Sequence, residues 1–402
     1  MKSYISKGSA EYRQAITALF LGSFVTFAIL YCTQPLIPLF SEHFGVTPAM
    51  ASLTVSLSTG PLAVVMLFVA WLSDAAGRKR IMTFAIIAAA MLMLLAALCD
   101  HFGLLLLIRA LHGIVLAGFP GIAMVYISEE FDPAISGLVI GIYVSGNSIG
   151  GLAGRLIVST VTDLYSWQLS LAGIGAVSLA AGLWFWRRLP ESRNFSARRL
   201  PLKAVAATLS DLLHNRLLLA LYSIAFLIMG SFVTLYNYIG WVLLAPPYQL
   251  SQTAVGFVFL IYLVGTVSST VMGRFSDFAG RGKVLLISLA AMFTGCIITL
   301  HMVLLVKILG IAIFTFGFFG AHSVAGNWSG QCTSCDKAQS AALYLLFYYL
   351  GASILGAAGG SLLAGYGWNG VVALTGSAVL LAVVIALGIF RYSRESEMVR
   401  AE

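Results

Sequence analysis

Long apolar runs separated by short polar loops make up almost the whole chain. A helix needs about 20 apolar residues to cross a bilayer. Runs of that length lie near residues 15–40, 48–72, 80–99, 103–128, 136–160 and 167–187, and again near 216–244, 252–275, 282–301, 304–329, 338–364 and 368–391. The pattern predicts twelve transmembrane helices, six on either side of a polar stretch from Arg187 to Asn215 that contains Pro190 and Pro201. That stretch reads as a linker with a short surface helix near Lys203 to His214. The first run is too long for the apolar core of a cleavable signal and reads as a retained span.

The two sets of six repeat one another. Ser73-Asp74-Ala75-Ala76-Gly77-Arg78 returns 203 residues later as Ser276-Asp277-Phe278-Ala279-Gly280-Arg281. Tyr165-Ser166-Trp167 returns as Tyr366-Gly367-Trp368, and Tyr143-x-x-Gly146 as Tyr348-x-x-Gly351. An internal repeat in so apolar a chain predicts an all-α membrane protein of two pseudo-symmetric six-helix bundles, a common transporter plan. The expected limits are 1–187 for the first bundle, 188–215 for the linker and 216–402 for the second.

Composition agrees with this reading. Charged residues make up 9% of the chain, against about 25% in soluble domains, because most of the surface faces lipid. The net charge of +8 does not point to nucleic acid. All but three of the 23 lysines and arginines fall in the tails, the linker or the loops on one side, and Arg109, Arg155 and Lys307 fall within spans. The positive-inside rule then places both termini in the cytoplasm. Cys332-x-x-Cys335 lacks the second pair that a structural zinc site needs, so these read as incidental thiols, and no cofactor or metal is expected.

The loop after the second span, Asp74-x-x-Gly77-Arg78-Lys79, resembles the signature of the major facilitator superfamily, and its second copy strengthens the likeness. The resemblance covers the whole chain and implies the major facilitator fold. In that family such loops latch the cytoplasmic face. Gly77 and Gly280 permit the sharp reversal. Asp74 and Asp277 suit helix N-termini. Arg78 and Arg281 can reach carboxylates, with Glu129 or Glu130 available to Arg78. Topological anchoring alone is the plainer alternative.

Further motifs resemble the twelve-span drug:proton antiporter branch, among poorly characterised bacterial inner-membrane exporters. Leu105-x-x-x-Arg109-x-x-His112-Gly113 is similar to its fourth-span motif, with His112 in place of the usual Gln. Gly146-Asn147-Ser148-Ile149-Gly150-Gly151 is similar to its fifth-span motif, with Asn147 replacing Pro. Gln34-Pro35 and Leu189-Pro190-Glu191 fit as well.

No acid falls mid-span, which argues against a strongly cationic substrate, whereas Arg109 and Arg155 suit an anionic, zwitterionic or polyhydroxylated one. The resemblance implies that Arg109 takes part in proton coupling; structural pairing with backbone is the alternative. His112 lies on the same helix face and either exchanges protons or fills a hydrogen-bonded core position. Arg155 has Asp163 as a candidate partner, and Lys307 is expected to snorkel outward. Tyr31, Gln34, Asn147, Tyr236, Asn237, Trp328 and Tyr348 join Arg109 and Arg155 as candidate substrate contacts, because polar and aromatic side chains cluster there on spans that line the cavity in the family.

The expected function is secondary active transport: alternating-access export of a small organic solute across the bacterial inner membrane by proton antiport, by a monomer. The alternative is a proton symporter importing a sugar or organic anion. An enzyme is not expected, since no nucleophile–base set or metal cluster stands out.

Overall fold

The computed structural model describes residues 4–195, 202–332 and 337–401, which are helical almost throughout. Among them the β structure is limited to an isolated bridge between Ile5 and Phe131. Among the described residues eleven helices are long and apolar enough to cross a membrane. The last, Gln339–Phe390, has 52 residues. At about 1.5 Å per residue that is more than twice the roughly 30 Å thickness of a bilayer core. It is two spans joined at Gly367, where φ 60° and ψ −151° are not helical. The fold therefore has the twelve spans that the apolar runs predict.

Numbered one to twelve, the spans are Ala10–Phe44, Pro48–Ala76, Arg78–Ala96, Phe102–Glu130, Pro133–Leu164 and Trp167–Arg188. After a helix at Leu202–His214 come Arg216–Leu244, Gln252–Ala279, Arg281–Ile298, Leu304–Gln331 and the two halves of Lys337–Ala401. The chain divides into two compact units. Met1–Gly45, Leu53–Leu200 and Ser251–Gly256 form the first; Val46–Ser52, Pro201–Leu250 and Phe257–Glu402 form the second.

Prolines interrupt two spans in the first unit. Span one runs as a helix from Ala10 to Tyr31, a 3₁₀ turn at Gln34–Leu36 and a second helix from Ile37. Pro35 and Pro38 lack the N–H that would continue the ladder. Span four is helical over Phe102–Leu116 and again from Pro120.

Each unit is built around a backbone contact that excludes side chains. A Cβ on Gly150 of span five would lie 2.1 Å from the Phe24 carbonyl oxygen of span one. In the second unit a Cβ on Gly351 of span eleven would lie 2.0 Å from the Phe226 carbonyl oxygen of span seven. Small residues let membrane helices approach this closely. The repeated loops also match, with Gly77 at φ 91° and Gly280 at φ 88°. Large apolar side chains such as Phe84, Leu107, Val267 and Leu305 are exposed, as a lipid-facing surface requires.

Candidate functional site

Arg109, in span four, is completely buried. Its Nε donates to the Thr54 carbonyl at 2.7 Å, Nη1 to Ile29 at 3.0 Å and Nη2 to Leu30 at 2.7 Å. Ile29 and Leu30 lie in the last turn of the helix Ala10–Tyr31, whose final carbonyls lack intrahelical partners. The guanidinium caps that end, where the helix dipole also favours a cation. Span two holds the same residue from below, with Ser58 Oγ donating to the Arg109 carbonyl at 3.1 Å. Arg109 thus fastens spans one, two and four together.

His112 is equally buried, and its Nε2 lies 3.0 Å from the Ala89 carbonyl of span three. The two residues predicted to act as a pair therefore reach different neighbours. The carbonyl partner fits the alternative reading of His112 as a hydrogen-bonded core residue.

Three candidates do converge. Arg155 donates through Nε to Gln34 Oε1 at 2.8 Å and through Nη1 to the Gly151 carbonyl at 2.7 Å. Its Cζ stands 4.5 Å from the centre of the Tyr31 ring. The expected pairing with Asp163 is corrected: Asp163 Oδ2 accepts from the backbone N and Oγ1 of Thr253, at 3.1 and 2.6 Å. Asn147 lies on the seam between spans one and five, where its Oδ1 accepts from Ser23 Oγ.

In the second unit the Tyr236 hydroxyl lies 2.8 Å from Thr315 Oγ1. Its ring joins an aromatic cluster, with Phe232 at 4.9 Å and Tyr262 at 4.7 Å. The cluster continues through Phe318, 3.9 Å from Phe232, to Tyr348 at 6.4 Å. His322 lies 4.7 Å from Tyr348, and its Nδ1 lies 3.0 Å from the Tyr344 hydroxyl. Asn237 and Trp328 are buried. Lys307 does not snorkel. It is buried, donates to the Thr299 carbonyl at the end of span nine, and has the rings of Tyr248 and Trp368 within 5.9 Å.

At the motif-bearing end Arg78 makes a two-pronged pair with Glu129, Nη2 to Oε1 at 2.9 Å and Nε to Oε2 at 3.2 Å. Glu130, the other candidate, binds elsewhere. Its Oε1 accepts from the Asn194 backbone at 2.9 Å, and its carbonyl accepts from the Ile5 N–H at 2.7 Å. In the second copy Arg281 donates to Gln331 Oε1, and Asp277 is exposed. The side chain of Asp74, and Cys335 altogether, lie outside the described residues. Sequence reasoning missed Gln331, although a signal existed: it stands 50 residues after Arg281, much as Glu129 stands 51 after Arg78. Ser23, Thr54 and Ser58 were also missed, and no motif marks them.

Twelve spans in two repeated bundles, arginines buried among them and a charged pair at the repeated loop define a multi-span membrane transporter. The chain belongs to the Major Facilitator Superfamily, whose profile matches residues 19–242. It is 43% identical over 381 residues to the uncharacterized MFS-type transporter YybF of Bacillus subtilis (strain 168), covering 95% of this chain and 94% of that one. It is 42% identical over 384 residues to the inner membrane transport protein YnfM of Escherichia coli (strain K12), covering 96% and 91%. Among solved structures it resembles a bacterial homologue of the human lysosomal transporter Spinster, with a TM-score of 0.75 at 17% identity over 96% of this chain and 98% of that one. That likeness speaks to the fold alone. The protein is a transporter and not an enzyme.

Proposed function

We propose that this transporter exports a small organic solute across the bacterial inner membrane by proton antiport, acting as a monomer with both termini in the cytoplasm. The observation that carries the reading is the pair of seams around span one. Span five is seated on it through Gly150, in the stretch similar to the antiporter motif, and span four is fastened to it through Arg109, the motif arginine. The name of the relative YnfM supports the inner membrane as the location. Tyr31, Gln34 and Arg155 are the substrate contacts proposed in the first unit, and Tyr236 and Tyr348 those proposed in the second. Arg78 and Glu129 form the latch, with Arg281 and Gln331 as its counterpart.

Proton symport of an organic anion is the second reading, and one observation favours it. Among the described residues the buried charged side chains within spans are cationic apart from Glu130 at the end of span four. A substrate anion that neutralises such a cation makes protonation of a nearby group easier, so proton and substrate favour each other's binding.

The experiment begins with a thermal-shift screen of the purified protein against metabolites and drugs. Each stabilising compound is then added to detergent-solubilised protein in weak buffer. Antiport gives proton release on binding, and symport gives proton uptake. Accumulation of that compound in inverted but not right-side-out vesicles supports export, and the reverse result overturns it.

A further inference from the structure

Within the first unit, spans three and six pack against each other. A Cβ on Gly175 of span six would lie 2.9 Å from Leu94 Cγ of span three, and one on Gly182 would lie 2.9 Å from Ile86 Cγ2. The two helices therefore run in opposite directions. That register brings Arg187 and Arg188, in the last turn of span six, level with Arg80 in the first turn of span three.

All three arginines are exposed. Their neighbours Arg78 and Lys79 are engaged, with Glu129 and Glu191, each at 2.9 Å. Among the described residues no hydrogen bond or ion pair takes up the side chain of Arg80, Arg187 or Arg188. The helix dipole favours Arg187 and Arg188 at the end of span six but disfavours Arg80 at the start of span three. The helix ends alone do not account for the cluster.

Arg80 leads a stripe of exposed apolar side chains, Phe84, Met91 and Leu95. Arg187 ends another, Val177 and Leu183, with the exposed Trp186 beside it. Apolar stripes of this kind face lipid, and Trp is enriched at headgroup depth. The arginines stand where the two stripes meet the phosphate layer. The second unit does not reproduce them. Lys283 corresponds to Arg80 by the 203-residue repeat, but Gly388 and Ile389 correspond to Arg187 and Arg188 when Tyr366-Gly367-Trp368 is matched to Tyr165-Ser166-Trp167.

We propose that the motif-bearing end of spans three and six binds an anionic phospholipid. The lipid phosphate accepts from Arg80, Arg187 and Arg188, and its acyl chains lie along Phe84, Met91 and Leu183. Arginine meets a phosphate with two parallel N–H donors. A zwitterionic headgroup brings an ammonium group that the cluster repels, so the site selects net negative charge. Glu191, which would oppose an anion, is held by Lys79. The site depends neither on the transported substrate nor on proton coupling.

Native mass spectrometry of the full chain, released from detergent micelles holding equal amounts of phosphatidylglycerol and phosphatidylcholine, tests it. Each arginine at an anionic surface contributes about fivefold to association, so three give wild type a preference for phosphatidylglycerol on the order of a hundredfold. Arg80→Gln and Arg187→Gln are each expected to lower that preference about fivefold. Both side chains are exposed and unpaired, so melting stays as in wild type. Lys283→Gln, which removes the same charge from the second unit, is expected to leave the preference unchanged. Equal retention of the two lipids by wild type overturns the proposal. So does a Lys283→Gln effect as large as that of Arg80→Gln, because the attraction is then diffuse. Loss of the bound lipid on adding inorganic phosphate at the same concentration overturns the lipid as ligand and leaves a phosphate site.

Discussion

Replacing Arg109 with Met tests whether this residue is chiefly a fastening. The substitution keeps a long side chain and removes the donors, so the carbonyls of Ile29, Leu30 and Thr54 lose bonds of 3.0, 2.7 and 2.7 Å. Hydrogen bonds between membrane helices average about 0.6 kcal/mol and reach about 1.7, so three of them place the loss at roughly 2 to 5 kcal/mol. The cost of burying a cation is recovered in part, which favours the lower half of that range. Arg109→Lys keeps the charge but not the planar fork, and is expected to fall between Met and wild type. The chain supplies its own reporters, since Cys32, Cys99 and Cys296 are free and buried. A thiol-reactive dye added during a thermal ramp reads their exposure, and the Met variant should react several degrees earlier. A profile that matches wild type would refute the reasoning, because bonds without energetic weight cannot explain the residue. Arg109 would then act in transport alone.

Gly150→Ala and Gly351→Ala should each lower thermal stability, since each added methyl would overlap a carbonyl oxygen at about 2 Å; unaltered melting would show that the helices part without cost. Arg78→Glu should impair transport of whichever compound the screen identifies, and the exchange Arg78→Glu with Glu129→Arg should restore it in part. A double variant no better than the single would mean that the latch pair carries no weight. His112→Gln should leave substrate-induced proton exchange intact if His112 is a core residue, and loss of the signal with binding retained would return it to the coupling mechanism.

Much of the fold was legible because span count and repeat are written in composition and spacing. Gly77 and Gly280 share one backbone conformation because the same reversal is needed twice. The apolar runs 338–364 and 368–391 already parted the last two spans, and the non-helical residue Gly367 falls between them. The breaks in spans one and four follow from Pro35, Pro38 and Pro120, although only the first of these stretches stood out in the sequence. The partners of the buried charges were far less legible. Arg155 turned to Gln34, 121 positions away, and Lys307 to a helix-end carbonyl. A sequence shows that a buried cation needs oxygen, but not which of many carbonyls the packing will present. Glu129 and Glu130 are adjacent, and only the fold decides which of them faces Arg78.

The seams at Gly150 and Gly351 also constrain how this transporter can move. With a carbonyl oxygen occupying the place of a side chain, spans one and five can neither slide nor rotate against each other without breaking the contact. The same holds for spans seven and eleven. Each pair therefore behaves as a keel, a stiff member that is displaced whole. Any shape change inside a bundle falls to the remaining helices, and a ligand that touches a keel acts on both of its members at once.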